Sequence, residues 1–279
     1  MNSQQPTYEL SEYSRRAANG VLLHRVRALT SIRSSVRAGD LGGWLEGATT
    51  PDGRPRLSGE AWVADNAMLL GDAVLTGRAL IADEAIVSGR AEIGERAVVS
   101  GASAVGDDVQ ISGDARIRDQ AHIGEWATVH GTATVEGRAR ISGSCQICGD
   151  ATVGDDARVG GACWVRGDAR VGGFAAVGGD ARIAGDARLF ADAEVLEEDQ
   201  MAVVGPIGSE NVVATLYRTR SGRCWVDLEC WRADLDSLWP EVEKRRLVWH
   251  RGPQKHEMWL QQYRALIAFG SALQSGWSA

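Results

Sequence analysis

The chain has 279 residues, a formal net charge of −7, 44% hydrophobic and 24% charged residues, a balance that suits one large folded domain or two modest ones and argues against dominant disorder. It has no run of about 18 apolar residues to cross a bilayer, and its first residues lack the basic start and apolar core of a secretory signal, so a cytoplasmic protein with no membrane partner is expected. Residues 60–199 carry 12 Arg against 24 Asp and Glu; a body of that sign repels phosphate backbones, which disfavours nucleic acid as a partner. The five cysteines are scattered, as in a reducing compartment, and do not form a disulfide framework.

Residues 1–58 read as an N-terminal β cap. Alternation around Leu22, His24, Val26 and Ala28 predicts a strand, and the glycines of GDLGGW, residues 39–44, predict a tight turn. A cap is needed because an open coil end exposes unpaired backbone groups that invite end-to-end growth.

Residues 59–199 repeat every six. Stepping by six from Ala61 to Ala193 visits 23 positions, of which 19 are Ala and the others Ser103, Val109, Cys145 and Cys163. Two residues after each stands Val, Ile or Leu, from Val63 to Val195, without a slip in register. A small and a branched residue two apart share one face of a strand, whereas a helix would want apolar residues every three or four. Gly, Asp or Glu fills nearly every position two before the small residue, which suits a corner with an unusual backbone angle. Three such strands and corners close a triangular coil of 18 residues, so the fold class is mainly β, a parallel β-helix of seven to eight coils and roughly 35 Å long at ~4.8 Å per coil. Its interior is filled by aliphatic side chains and alanines, and leaves no tunnel.

Stacking every 18 residues sorts the outward positions into three faces. The first runs Trp62, Leu80, Val98, Arg116, Thr134, Thr152, Arg170, Arg188; the second Met68, Ile86, Ala104, His122, Arg140, Arg158, Ala176, Glu194; the third Val74, Glu92, Gln110, Thr128, Gln146, Trp164, Arg182. The apolar start of the first two faces must be covered, by residues 1–58 or by a second subunit in a homo-oligomer. Arg140 with Arg158, and Arg170 with Arg188, stack on adjacent coils. Such pairs either grip a small anionic ligand or form solvated ladders whose repulsion is offset by corner carboxylates such as Asp150, Asp168 and Asp186. Trp164 is a further surface candidate for binding. Cys145 and Cys148 form a C-x-x-C whose register sends one inward and one outward, so no metal site is expected.

Residues 200–279 have a different composition and read as a small α+β domain. VVATLYRT (212–219), a Ser221-Gly222 turn and CWVDLECW (224–231) predict a hairpin, followed by helices near 235–249 and 255–274. Trp259, Tyr263, Leu266, Ile267, Gly270 and Leu273 have the spacing of one buried helical face, and Pro240 fits if the first helix starts near Ser237.

The segment VRAGDLGGWLEG (36–47) followed by LSGEAWVADNAMLLGDA (57–73) resembles bacterial and prophage hexapeptide-repeat proteins labelled acetyltransferases. The C-terminal VGPIGSENVVATLYRTRSG (204–222), Cys230, His250 and QQYRALI (261–267) resemble a small phage-type domain of the same group. The hexads, as in Val87-Ser88-Gly89-Arg90-Ala91, resemble the left-handed form of the β-helix, so the left hand is what the resemblance implies. It also implies an acyltransferase that uses CoA, a trimeric assembly and a His acting as general base near an intersubunit groove.

His122 and His130 are the prism's candidates for that base; His122 lies midway along a face, but neither sits on an insertion. Lys244 and Lys255, the only lysines, do not follow a phosphate-binding glycine loop. Cys230 and His250 form a nucleophile and base only if folding brings them together. The favoured reading is a non-enzymatic binding or scaffold protein, with no cofactor, that presents its faces or its C-terminal domain to a protein partner or a small anionic ligand. The alternatives are a CoA-dependent acyltransferase with His122 as base, and a self-assembling filament, which two capped ends oppose.

Overall fold

In the computed structural model, which describes residues 7–229 and 231–277, the hexads fold as their register requires. Twenty-three two-residue strands, β4–β26, run from Trp62–Val63 to Glu194–Val195 and stack in three parallel sheets. Each but the last of its sheet pairs with the strand 18 residues on, as Val98 with Arg116 and Val99 with Ile117. The ladder bonds run along the prism axis, the N–H of His122 donating to the Ala139 carbonyl at 2.9 Å. The branched residues and alanines point inward, and Val135, like most of them, is 0% exposed. Each aliphatic contributes about 2 kcal/mol of gross burial, largely offset by chain ordering.

The corners explain the alternation of glycine with acid. Every corner position from Gly59 to Ala191 has positive φ, and among them Asp65, Asp83, Glu95, Asp107, Asp119, Glu125 and Asp155 are acidic. Glycine takes this conformation without steric cost. The acids offset theirs by accepting a hydrogen bond from the corner N–H one coil on: Asp83 from Gly101 at 2.8 Å, Glu125 from Gly143 at 2.8 Å, Asp155 from Gly173 at 2.7 Å. An acid at a corner therefore stitches two coils together.

At the N-terminal end, β1 (Tyr8–Arg16), β2 (Leu22–Ala28) and β3 (Leu41–Leu45) extend the second face. β1 and β2 are antiparallel, and β3 runs parallel to the first strand of that face, with Trp44 opposite Met68 and Leu45 opposite Leu69. Leu57 pairs with Leu75 on the third face, so a partial coil precedes the hexads, with 46–56 inserted as a loop. Two details differ from the sequence expectation. The turn in GDLGGW forms at Gly39, at φ 93°, but Gly42 and Gly43 lie inside β3 and make no turn: a Cβ on Gly42 would clash with the Val63 carbonyl oxygen, and one on Gly43 would stand 2.5 Å from that of Ala67. Between β2 and β3 the register shifts where Gly42 and Gly43 together stand opposite Val26, and Leu22 is exposed while Leu23 and Val26 are buried. The segment covers Trp62 and Val74 fully and leaves Leu80, Ile86 and Val98 half-buried.

The C-terminal residues form an antiparallel sheet of β27 (Met201–Ile207), β28 (Val212–Arg218), β29 (Cys224–Asp227) and β30 (Arg232–Asp234), packed with α1 (Leu238–Arg246) and α2 (Pro253–Gly276). α2 buries Trp259, Tyr263, Leu266 and Gly270, with Ile267 and Leu273 packed against the same core. Pro240 falls in the first turn of α1, where a missing N–H leaves no bond unmade; α1 stops at Arg246, short of the predicted 249. Strand β28 closes the far end of the prism. Tyr217 is buried within the prism core, Thr219 bridges to Ala193, Thr215 Oγ1 accepts from the Arg188 N–H at 3.0 Å, and Arg218 pairs with Glu194. No helix among the described residues is long and apolar enough to cross a membrane.

Candidate anion-binding cleft

The prism's arginines divide by position. Corner side chains 18 residues apart are nearest neighbours, and there arginines meet acids: Arg90 pairs with Asp108 through two bonds of 2.6 Å, Arg138 with Asp156 at 2.7 Å, Arg78 with Glu60 at 3.0 Å. Of the arginines on the flat faces, Arg182 pairs with Glu198 at 2.8 Å, and the others have arginine, threonine, alanine, valine or histidine beside them. Arg140, Arg158, Arg170 and Arg188 make no ion pair among the described residues, and Asp150, Asp168 and Asp186 do not neutralise them as a solvated ladder would require.

On the second face Arg140 and Arg158 occupy adjacent strands in direct register, both exposed. One coil beyond Arg158 stands Ala176, too small to fill the space. The margin there is formed by Phe174, 62% exposed, and by Arg220 from the turn between β28 and β29. Arg220 is seated by its own N–H donating to the Asp192 carbonyl at 3.2 Å and by Nη2 donating to the Phe174 carbonyl at 2.8 Å. Arg138, Arg140, Asp156, Arg158, Phe174 and Arg220 line a cavity of about 410 Å³. Four guanidiniums thus face one carboxylate, which Arg138 already holds. Guanidinium forks left unpaired in this way suit a phosphate or carboxylate, whose oxygens accept two parallel bonds.

Arg140 also ends a second depression of about 500 Å³ on the same face, over Ile86, Ala104 and His122 and floored by Gly106 and Gly124. His122 is exposed, and its Nδ1 lies 2.9 Å from the Gln120 carbonyl oxygen. A carbonyl only accepts, so Nδ1 carries the hydrogen, and in the neutral ring Nε2 is the acceptor.

The remaining candidates do not join this site. Arg170 and Arg188 stand on the first face. Trp164 is on the third, with the Arg166 guanidinium 5.8 Å from its ring centroid. His130 is half-buried beside the third face. Cys145 is buried inside the prism and Cys148 half-buried at its surface; no group of three metal-binding side chains occurs among the described residues. His250 is exposed, and Cys230 lies outside the described residues. Sequence reading missed four members of the cleft, Arg138 with its partner Asp156, Phe174 and Arg220. Phe174 carries a signal, since only it and Trp126 are aromatic among the 23 residues that precede the small register positions. Arg220 carries none, because its place depends on how β28 docks. Compared with protein-family models and with curated proteins, the chain matches none.

Proposed function

We propose that this chain is a non-enzymatic binding protein, a rigid scaffold that holds a small anionic ligand where the prism meets the C-terminal domain. The convergence of Arg140, Arg158 and Arg220 on one cavity, with no carboxylate left over to neutralise them, carries this reading. Each charge-assisted hydrogen bond to such a ligand contributes roughly 1.5–3 kcal/mol; the ladder fixes the strands that carry Arg140 and Arg158, and the Phe174 carbonyl holds the Arg220 guanidinium, which lowers the ordering cost of binding. A ligand touching both the prism and the turn that carries Arg220 would also tie the two domains together, giving a partner protein a surface that differs between free and loaded forms.

The test is calorimetric titration of the full chain with inorganic pyrophosphate and with citrate. Binding of either, weakened by salt and reduced at least about tenfold by Arg158→Gln and by Arg220→Gln, is the expected result. Failure of both probes to bind, or affinity untouched by the two substitutions, overturns the reading. A cytoplasmic location, a phage origin and self-association through Leu80, Ile86 and Val98 belong to the same proposal. Native mass spectrometry of protein purified from its own cells reports the subunit number and any retained molecule.

One observation favours a second reading, acyl transfer from CoA: the Nε2 of His122, in the neutral ring, is an open acceptor beside a depression of about 500 Å³ on the second face. A general base there would take a proton from an acceptor hydroxyl or amine. That reading requires acyl-CoA turnover that His122→Ala abolishes, whereas the anion-binding reading requires pyrophosphate or citrate affinity that survives the same substitution.

A further inference from the structure

The third face carries a cleft built from similar parts with the charges cancelled. Trp126, at the corner position, is 62% exposed. It stands over Gln110 and Thr128, which lie in register on adjacent strands. The opposite wall is Arg54, delivered by the inserted loop 46–56. Arg54 is closed by two carboxylates, Asp52 at 2.8 Å and Glu92 at 3.0 Å, and Arg90 is held by both oxygens of Asp108. Arg54, Glu92, Arg90 and Asp108, together with Trp126, Gln110 and Thr128, enclose about 400 Å³, within the range of small-molecule sites.

Two arginines against three acids leave no net positive charge for an anion, and each carboxylate is already engaged, so a cation would have to break an ion pair to enter. What remains is a wide indole face, an amide on Gln110 with no partner among the described residues, and ion pairs that present donors and acceptors side by side. A ligand that is neutral, apolar on one face and ringed by groups that both donate and accept satisfies all three: a sugar ring stacked on the indole with its hydroxyls turned to the ion pairs and the amide. The strip continues. Gln146 follows Thr128, and Trp164, 38% exposed, follows Gln146 on the same sheet. The coil rise of ~4.8 Å is close to the length of one pyranose unit in an extended chain, so successive rings would fall in step with successive coils from Trp126 toward Trp164.

We infer that the third face binds a neutral oligosaccharide, with Trp126 as its stacking platform. The site differs in position and in charge from the anion cleft on the second face and does not depend on it. The test titrates the full chain calorimetrically with the tetrasaccharides of β-1,4-glucose, α-1,4-glucose, β-1,4-mannose and β-1,4-N-acetylglucosamine. At least one is expected to bind, with affinity reduced about tenfold or more by Trp126→Ala, partly restored by Trp126→Phe and unchanged by Arg158→Gln. Trp126 is a surface residue, and circular dichroism checks that each variant is folded. The inference is overturned if none of the four binds, if binding survives Trp126→Ala intact, or if it is lost in Arg158→Gln, which would assign it to the other cleft.

Discussion

Replacing Arg158 by Gln should make the unliganded protein more stable. Arg140 and Arg158 sit on neighbouring strands about 4.8 Å apart, in register, with no carboxylate paired to either. With guanidiniums at roughly 6 Å, Coulomb's law gives about 0.7 kcal/mol of repulsion at the dielectric constant of water and about 3 kcal/mol at an effective value of 20. Both side chains are exposed, so the lower figure applies, and removing one charge while keeping most of its aliphatic stem should gain about 0.5 kcal/mol, or a rise of about 1–2 °C in Tm. Arg138→Gln is the control. It breaks a pair with Asp156 and should cost between nothing and about 0.5 kcal/mol. Thermal unfolding at low salt separates the two, and the gain in Arg158→Gln should fade as salt is added. With saturating pyrophosphate the order reverses, because only the native cleft is stabilised by its ligand. A loss of stability in unliganded Arg158→Gln at low salt would refute the reasoning, since it would mean that the arginine is held by packing and not reserved for a ligand.

Three further outcomes follow from the fold. Val135 is buried between Ile117 and Val153; Val135→Asp places a carboxylate there without a partner, at a cost of several kcal/mol, and calorimetry should show Tm lowered by about 10 °C or more, whereas an unchanged transition would remove the inward assignment. In Asp119, at φ 63°, a carboxylate oxygen accepts from the Gly137 N–H at 2.9 Å; urea unfolding should show Asp119→Ala less stable by about 1 kcal/mol and Asp119→Gly nearly neutral, because glycine recovers a similar amount of backbone strain. Thiol titration of a Cys230→Ser variant should find Cys148 reacting first, since Cys145, Cys163 and Cys224 are buried and burial pushes the Cys224 thiol up to about 12, leaving it protonated and slow; early labelling of any of those three would contradict the placement.

The prism was legible because one period governs it. An inward position recurs every six residues and a neighbour every 18, so Arg140 beside Arg158, and the division into three faces, followed from counting. The cap obeys no period. Gly42 and Gly43 resemble a turn in sequence because glycine serves turns and close approaches alike, and only the docking of β3 against the Val63 and Ala67 carbonyls distinguishes the two uses. A bulge in β3, where Gly42 and Gly43 together stand opposite Val26 of β2, interrupts the register, and Leu23 is buried in place of Leu22, which strict alternation cannot anticipate. The hairpin and helices of the C-terminal domain were legible from turn residues and helical spacing. Its contribution to the cleft was not, because the distance from Arg220 to Phe174 is set by Tyr217 entering the prism core, a long-range contact with no local signature.

A strictly repeating prism offers every coil the same surface, so it cannot by itself select one place to bind. Selection arises where something without the period meets it. Phe174 and Trp126 stand where other corners carry polar residues or alanine, and each overhangs a face beside an arginine supplied by non-repeating chain: Arg220 from the turn after β28, Arg54 from the loop before Leu57. The periodic floor supplies spacing and rigidity, and the aperiodic wall supplies the boundary. What distinguishes the two clefts is then the partner of each arginine. Arg54 and Arg90 meet carboxylates and leave a neutral surface suited to hydroxyls; Arg140 and Arg158 meet only each other and leave a charge for a ligand to neutralise. Converting one cleft toward the other should therefore need only a change of partner. Asp108→Asn frees Arg90 and should give the third face a measurable affinity for pyrophosphate in calorimetric titration, in a background where Arg158→Gln has silenced the second face. Absence of any gain would show that unpaired arginine beside an aromatic corner is not sufficient, and would shift the weight of the anion site onto the convergence of three guanidiniums that only the Arg220 turn provides.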